Sequence, residues 1–113
     1  MRLAIIGGRD FSNYDLLNEI LTPYKSRISL IVSGGARGAD SLGEKWAIEN
    51  GFETLIFLAD WGKHGKKAGF IRNVDIIKNS DGVIAFWDGK SKGTAHSLSL
   101  TKKSKLPTKI IKY

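Results

Sequence analysis

Two glycine-rich stretches offer this sequence its clearest chemistry. The first, Ser33-Gly34-Gly35-Ala36-Arg37-Gly38-Ala39-Asp40, stands between an apolar β-branched run and a helical pattern. A turn from strand into helix leaves the first helical amides without intrahelical acceptors, and glycines let the backbone approach a phosphate closely. A hydrogen bond to a charged group contributes ~1.5–3 kcal/mol against ~0.3–1 for the helix dipole, so the amides of Gly34, Gly35 and Ala36 would hold the ligand. The same glycines would serve a tight turn equally well, and the loop alone leaves the two readings level. The second stretch, Gly93-Thr94, opens the last helical pattern after Asp88-Gly89-Lys90-Ser91-Lys92. There the Thr94 hydroxyl is either one more donor or a plain helix cap.

Other side chains suit the remainder of such a ligand. Arg72-Asn73 lies one turn into a helix, where the guanidinium would reach a phosphate or ribose, or else form a surface ion pair. Gly8, Arg9 and Asp10 follow the first strand, with Asp10 either touching ligand or capping the next turn. Asp60 and Asp88 are the carboxylates best placed for acid–base work or for ribose hydroxyls, though no paired-carboxylate spacing is evident. Trp61 and Trp87 stand beside the loops and could stack on a base; an aromatic at a strand end more often plugs the core, the reading favoured for Trp87. Lys63, His64 and His96 lie near enough to act on a ligand, but no partner to tune the isolated histidines is visible.

Some chemistries are disfavoured. Neither stretch carries the lysine and hydroxyl of GxxxxGK[ST], and GxGxxG is absent, which argues against an ordinary ATPase or a dinucleotide oxidoreductase. With no cysteine and two separated histidines, neither disulfides, thiolate nucleophiles nor a metal centre is expected, and no cofactor is implied.

These residues must be positioned by alternating strands and helices. Strands are predicted at Arg2–Ile6, Ile28–Val32, Thr54–Leu58, Val83–Trp87 and Lys109–Lys112. Helices are predicted from Asn13 to Tyr24 with Ser12 or Asn13 as cap, from Ala36 to Asn50, across Phe70, Ile71, Val74 and Ile77 as the inward face, and from Gly93 to Pro107. Ala59 to Lys67 reads as a polar loop. This order predicts an α/β fold: a small Rossmann-like, doubly wound parallel sheet of five strands in order 3-2-1-4-5, with about four helices. Ligands in such sheets bind beyond the carboxyl ends of the strands where the order reverses, which is where both glycine-rich stretches fall.

A chain of 113 residues fits one domain, residues 1–113, and its 42% hydrophobic and 26% charged content is ordinary for a globular protein. No apolar run approaches the ~18 residues of a membrane span, and Gly7-Gly8 interrupts any signal-peptide core, so a cytoplasmic location without membrane partners is expected. The net charge of +7 is uneven: Asp88 to Tyr113 contains seven lysines and a single aspartate. A lysine-rich helix is more often a solvated face than a nucleic-acid surface, so nucleic acid ranks behind a small molecule as partner.

Taken in order, GGRDF at Gly7–Phe11, SGGARGAD at Ser33–Asp40, ADWGKHGKKAGFIRN at Ala59–Asn73 and GTAHS at Gly93–Ser97 resemble the SLOG superfamily, and within it the YspA/cpYpsA-related branch. That superfamily groups the Rossmann-like domain of DNA-processing protein A with the Lonely Guy phosphoribohydrolases. The resemblance implies a nucleotide-derived ligand, such as a nucleoside phosphate or an ADP-ribose-like signal, held by a sensor or sequestering module. Its candidate contacts are Gly8, Arg9, Asp10, Ser33, Gly34, Gly35, Ala36, Asp40, Asp60, Trp61, Arg72, Asn73, Asp88, Gly93 and Thr94. Lonely Guy enzymes carry PGGxGTxxE, and Ser97 stands where that glutamate is expected, so N-glycosidic hydrolysis ranks below binding even though Arg72 matches the family arginine. Single-stranded nucleic-acid binding ranks third. A symmetric homodimer is expected from the resemblance alone.

Overall fold

Alternation along the central strands divides the side chains into two layers. In the computed structural model, which describes Met1 to Tyr113, the first strand β1 (Arg2–Gly7) sends Leu3 and Ile5 to one face and Ala4 and Ile6 to the other, all buried. Strand β4 (Gly82–Trp87) repeats this, with Ile84 and Phe86 opposed to Val83 and Ala85. A strand buried on both faces belongs in the middle of a parallel sheet covered by helices on each side. The remaining strands are β2 (Leu30–Ser33), β3 (Glu53–Ile56) and β5 (Thr108–Lys112), and the all-parallel order is β3-β2-β1-β4-β5, as expected from the sequence. In this register Leu3 lies between Ile31 and Gly82.

Helices α1 (Tyr14–Leu21) and α2 (Ala39–Glu49) cover one face, burying Leu17, Leu21, Trp46 and Ala47. After the single turn α3 (Trp61–His64), helices α4 (Ala68–Lys78) and α5 (Lys92–Lys103) serve the other, where Ile76 and Ile77 join the core and Leu98 packs against it. No helix is long and apolar enough to cross a membrane.

Several boundaries depart from expectation for local reasons. Asn13 caps α1, accepting from the Leu16 amide at 3.0 Å, but the helix ends at Leu21 and tightens into a 3₁₀ turn over Thr22–Arg27, where Pro23 cannot donate to an α ladder. Helix α2 starts three residues later than predicted. Gly38 sits at φ +77°, a conformation a helix cannot contain, and a side chain there would overlap the Gly8 carbonyl and the Arg9 backbone. The expected polar loop contains α3 and a 3₁₀ turn at Gly65–Lys67.

The inward face of α4 is also rotated from the prediction. Ala68, Asn73, Ile76 and Ile77 are buried, while Phe70 and Ile71 remain half-exposed. Helix α5 buries the small hydroxyl residues Thr94, Ser97 and Thr101 in place of an apolar stripe, and Thr101 returns its hydroxyl to the Leu98 carbonyl at 2.7 Å. Trp87 is not a core plug: it is partly exposed at the end of β4, its indole N–H donating to the Ser91 carbonyl at 3.1 Å and its ring lying under the Lys112 ammonium.

The α1–α2 layer depends on Trp46, which is fully buried, donates its indole N–H to Asn18 Oδ1 at 2.9 Å and stacks on Phe52. Trp46→Ala is expected to cost ~3–5 kcal/mol in urea unfolding, because the cavity left among rigid strand and helix neighbours collapses only partly. A loss under about 1 kcal/mol would contradict this packing.

Candidate functional site

The chain leaves β1 toward one face of the sheet and β4 toward the other, so a crevice opens between their carboxyl ends. It is a cavity of about 480 Å³. Gly8, Arg9 and Asp10 line it after β1, Ala36 and Asp40 after β2, and Asp88, Ser91, Gly93, Thr94 and Ser97 after β4. The remaining wall comes from Ile6 and Gly7 at the end of β1 and from Trp61, Lys66, Gly69, Phe70, Arg72, Asn73 and Ile76.

Two consecutive residues of α4 connect the loops around it. The Arg72 guanidinium donates to the Gly34 carbonyl at 2.6 Å and to Asn73 Oδ1 at 3.1 Å. The Asn73 amide donates to the Gly93 carbonyl at 3.2 Å and to His96 Nδ1 at 3.3 Å. Asn73 is 6% exposed and its polar capacity is spent inside the protein, so it acts as a brace between the β2 and β4 loops. Accepting at Nδ1 fits a neutral His96 with its proton on Nε2, and burial, aided by the Lys103 charge, lowers the pKa of this ring.

The loop amides are less bare than the sequence implies. In the β2 loop the Gly35 amide donates to Ser33 Oγ at 3.4 Å, the Ala36 amide to Asp40 Oδ2 at 3.2 Å, and the Ala39 amide to the Gly8 carbonyl at 3.2 Å. Serine and aspartate at the two ends of the stretch supply the acceptors, so this turn largely caps itself. At the start of α5, Ser91 accepts from the Thr94 amide at 3.4 Å and Asp88 from the Lys90 and Ser91 amides at 2.8 Å each. The Lys92 and Gly93 amides have no acceptor within the chain.

Charge in the cavity is mixed. Arg9, Lys66 and Arg72 face Asp10, Asp40 and Asp88. Asp40 is 6% exposed, and burial pushes its pKa up to about 6 against the opposing pull of the Ala36 amide and the Arg72 charge. Burial also lowers the pKa of Arg72, with Asp40 raising it and Arg9 lowering it further. Amide hydrogen bonds hold Asp88 below the usual carboxylate range. Asp10 accepts from the Tyr113 hydroxyl at 2.5 Å, and burial together with that carboxylate raises the phenol well above its ordinary range.

Of the residues singled out from the sequence, Ser33, Gly34, Gly35 and Asp60 stand outside the cavity wall, as do Lys63, His64, Trp87 and His96. Ser33 is fully buried and donates to Glu44 at 2.6 Å. Gly34 lies between Arg72 and Asp40, while Gly35, at φ +69°, is pressed against Leu58, so a substitution there would strain the turn as well as probe a ligand. Asp60 caps α3 through the Lys63 amide. The structure adds Ile6, Gly7, Lys66, Gly69, Phe70, Ile76, Ser91 and Ser97 to the candidate contacts. Ser97 was legible as one helical turn beyond Thr94. The apolar pattern predicts Phe70 in the core, yet it is 46% exposed, edge-on to His96.

Two variants test this geometry. The raised pKa of Asp40 means that between pH 3.8 and about 6 the folded chain holds a proton the unfolded chain has lost, so stability falls as pH rises through that window. Asp40→Asn is therefore expected to exceed the wild type by up to about 3 kcal/mol in chemical unfolding at neutral pH, and to lose that gain below about pH 4. A gain independent of pH would contradict the burial of an ionised carboxylate. Asn73→Ala, which breaks the brace, is expected to cost about 2–3 kcal/mol and to speed amide exchange in both the 34–38 and 88–94 loops. Faster exchange in one loop alone would contradict the brace.

Residues 1–64 match the family described as YspA, cpYpsA-related SLOG. Gene 61 protein of Mycobacterium phage D29 is 39% identical over 84 residues, spanning 69% of this chain and 67% of that protein. Among solved structures, DNA processing protein A of Streptococcus pneumoniae superimposes with a TM-score of 0.80 at 18% identity, over 96% of this chain and 49% of that one. This chain thus spans about half of that protein, and at such identity the likeness is one of fold. With more than half of its length matched by the family profile, the chain belongs to the YspA, cpYpsA-related SLOG family.

Proposed function

We propose that the cleft binds a nucleotide-derived small molecule, a nucleoside phosphate or an ADP-ribose-like compound, and that the chain acts as a sensor or sequestering module. One observation carries the reading: a single cavity brings together the three kinds of group a nucleotide needs. The unpaired Gly93 amide at the start of α5, with Arg9 and Lys66 in the wall, suits a phosphate. Trp61, 52% exposed and lying against Gly69, stands with Phe70 as an aromatic surface for a base. Asp10, Asp40 and Asp88 supply acceptors for sugar hydroxyls. Membership of a SLOG family supports a nucleotide-related role.

Hydrolysis of an N-glycosidic bond ranks second. Asp40 beside Arg72 favours it, since a buried carboxylate with a raised pKa can serve as an acid. Against it, Ser97 offers only a hydroxyl from α5. Nucleic-acid binding ranks third. The fold neighbour is a DNA processing protein, but here Lys92, Lys102, Lys103, Lys105, Lys109 and Lys112 are exposed along α5 and β5, and none lines the cleft.

Titration calorimetry with nucleoside mono- and diphosphates and ADP-ribose is expected to reveal saturable binding with quenching of Trp61 emission. Arg9→Ala should weaken it by about tenfold or more, the loss of a charge-assisted contact. Binding of single-stranded oligonucleotides alone, with a steep salt dependence, would instead favour the third reading. Free base appearing on chromatography would favour the second.

A further inference from the structure

The cleft contains a carboxylate that the fold has buried but only half used. Asp40 Oδ2 accepts from the Ala36 amide at 3.2 Å and the Gly34 amide lies near enough to act on the carboxylate, but no donor within the protein makes a hydrogen bond of good geometry to the other oxygen. Arg72 is close enough to influence Asp40 electrostatically, yet it donates to Gly34 and Asn73. Glu44 is occupied by Ser33. No side-chain oxygen or nitrogen in the protein is both fully buried and unpartnered, so the free oxygen of Asp40 borders the cavity that the residue lines. The Ser97 hydroxyl, on a residue only 3% exposed, also faces that cavity without a partner.

An ionised acceptor in a sheltered wall rejects one class of group and selects another. A phosphate is repelled from it. A hydroxyl or N–H is drawn to it, since a hydrogen bond to a charged acceptor is stronger than one between neutral groups. If a base lies against the half-exposed Trp61 and Phe70, the donors left for the sheltered wall are those of the sugar.

We propose that Asp40 reads the sugar: its free carboxylate oxygen accepts a hydrogen bond from a ribose 2′-hydroxyl, so that the cleft selects ribonucleotides over 2′-deoxyribonucleotides. This rests on the cleft being a nucleotide site. Serine 97 completes the polar wall on the α5 side.

The test is titration calorimetry of the full chain with the four ribonucleoside 5′-monophosphates and their 2′-deoxy counterparts, for the wild type and Asp40→Asn, with circular dichroism to verify folding. The wild type is expected to prefer each ribonucleotide it binds by about tenfold or more, and the variant to reduce that ratio to about threefold or less. In the variant the amide oxygen takes the Ala36 amide and a neutral NH₂ group faces the sugar. Should the variant not fold, Asp10→Asn and Asp88→Asn decide the matter: both are expected to keep the wild-type ratio, and its loss in either overturns the assignment to Asp40. Equal binding of ribo- and deoxyribonucleotides overturns the role of Asp40 and leaves the nucleotide reading intact. A change in preference among bases with the sugar ratio unaltered assigns Asp40 to the base edge and also overturns it. Failure of every nucleotide to bind removes both.

Discussion

Everything at the cleft depends on one pair of side chains reaching in opposite directions from a single helix. Arg72 holds the loop after β2 by its Gly34 carbonyl, and Asn73 holds the loop after β4 by its Gly93 carbonyl. Each loop has an anchor of its own, the Ala39 amide on the Gly8 carbonyl and the Trp87 indole on the Ser91 carbonyl, and the pair adds a tie from both loops to one helix. A neutral amide and a guanidinium bonded to each other at 3.1 Å convert two movable loops into walls of fixed spacing. They can do so because α4 turns Asn73 toward the protein interior, which places Phe70 at the rim of the cavity.

Self-capping changes where charge can be accepted. The β2 loop satisfies its Gly35 and Ala36 amides with Ser33 and Asp40, bringing a carboxylate to a place where the sequence pattern invites an external anion. Keeping Asp40 ionised there opposes folding, because burial raises its pKa. A fold that retains such a group at a cavity wall sacrifices stability at a position suited to recognition. The two ends of the cleft therefore differ in character, with open amides at the start of α5 and an anionic acceptor in the first turn of α2.

Much of this was legible in the residues. Runs such as Ala4-Ile5-Ile6 and Val83-Ile84-Ala85, with glycine close at each carboxyl end or just beyond it, fix central parallel strands by composition alone, and the strand order followed from handedness. The positions of Gly8, Arg9, Asp10, Trp61 and Arg72 around a shared crevice followed from that topology. What escaped were features set by tertiary partners. Gly38 delays α2 because of the approach of the Gly8 carbonyl, a contact between loops thirty residues apart. Phe70 is 46% exposed because the first turn of α4 borders the cavity and not the core, so a position on the same side of the helix as the buried Asn73 meets open space.

The sheet order also bears on how the chain acquires its shape in time. Strand β1 forms early in synthesis but is flanked by β2 and by β4, whose residues are made much later, and the Asp10 carboxylate meets Tyr113 across 103 positions of chain. Loop-closure entropy must be met before such distant partners stabilise each other, so the central layer cannot be completed by neighbouring segments alone. A nascent chain released only as far as β3 would expose the apolar edge of β1 to other strands, making that interval the period of greatest exposure to mispairing.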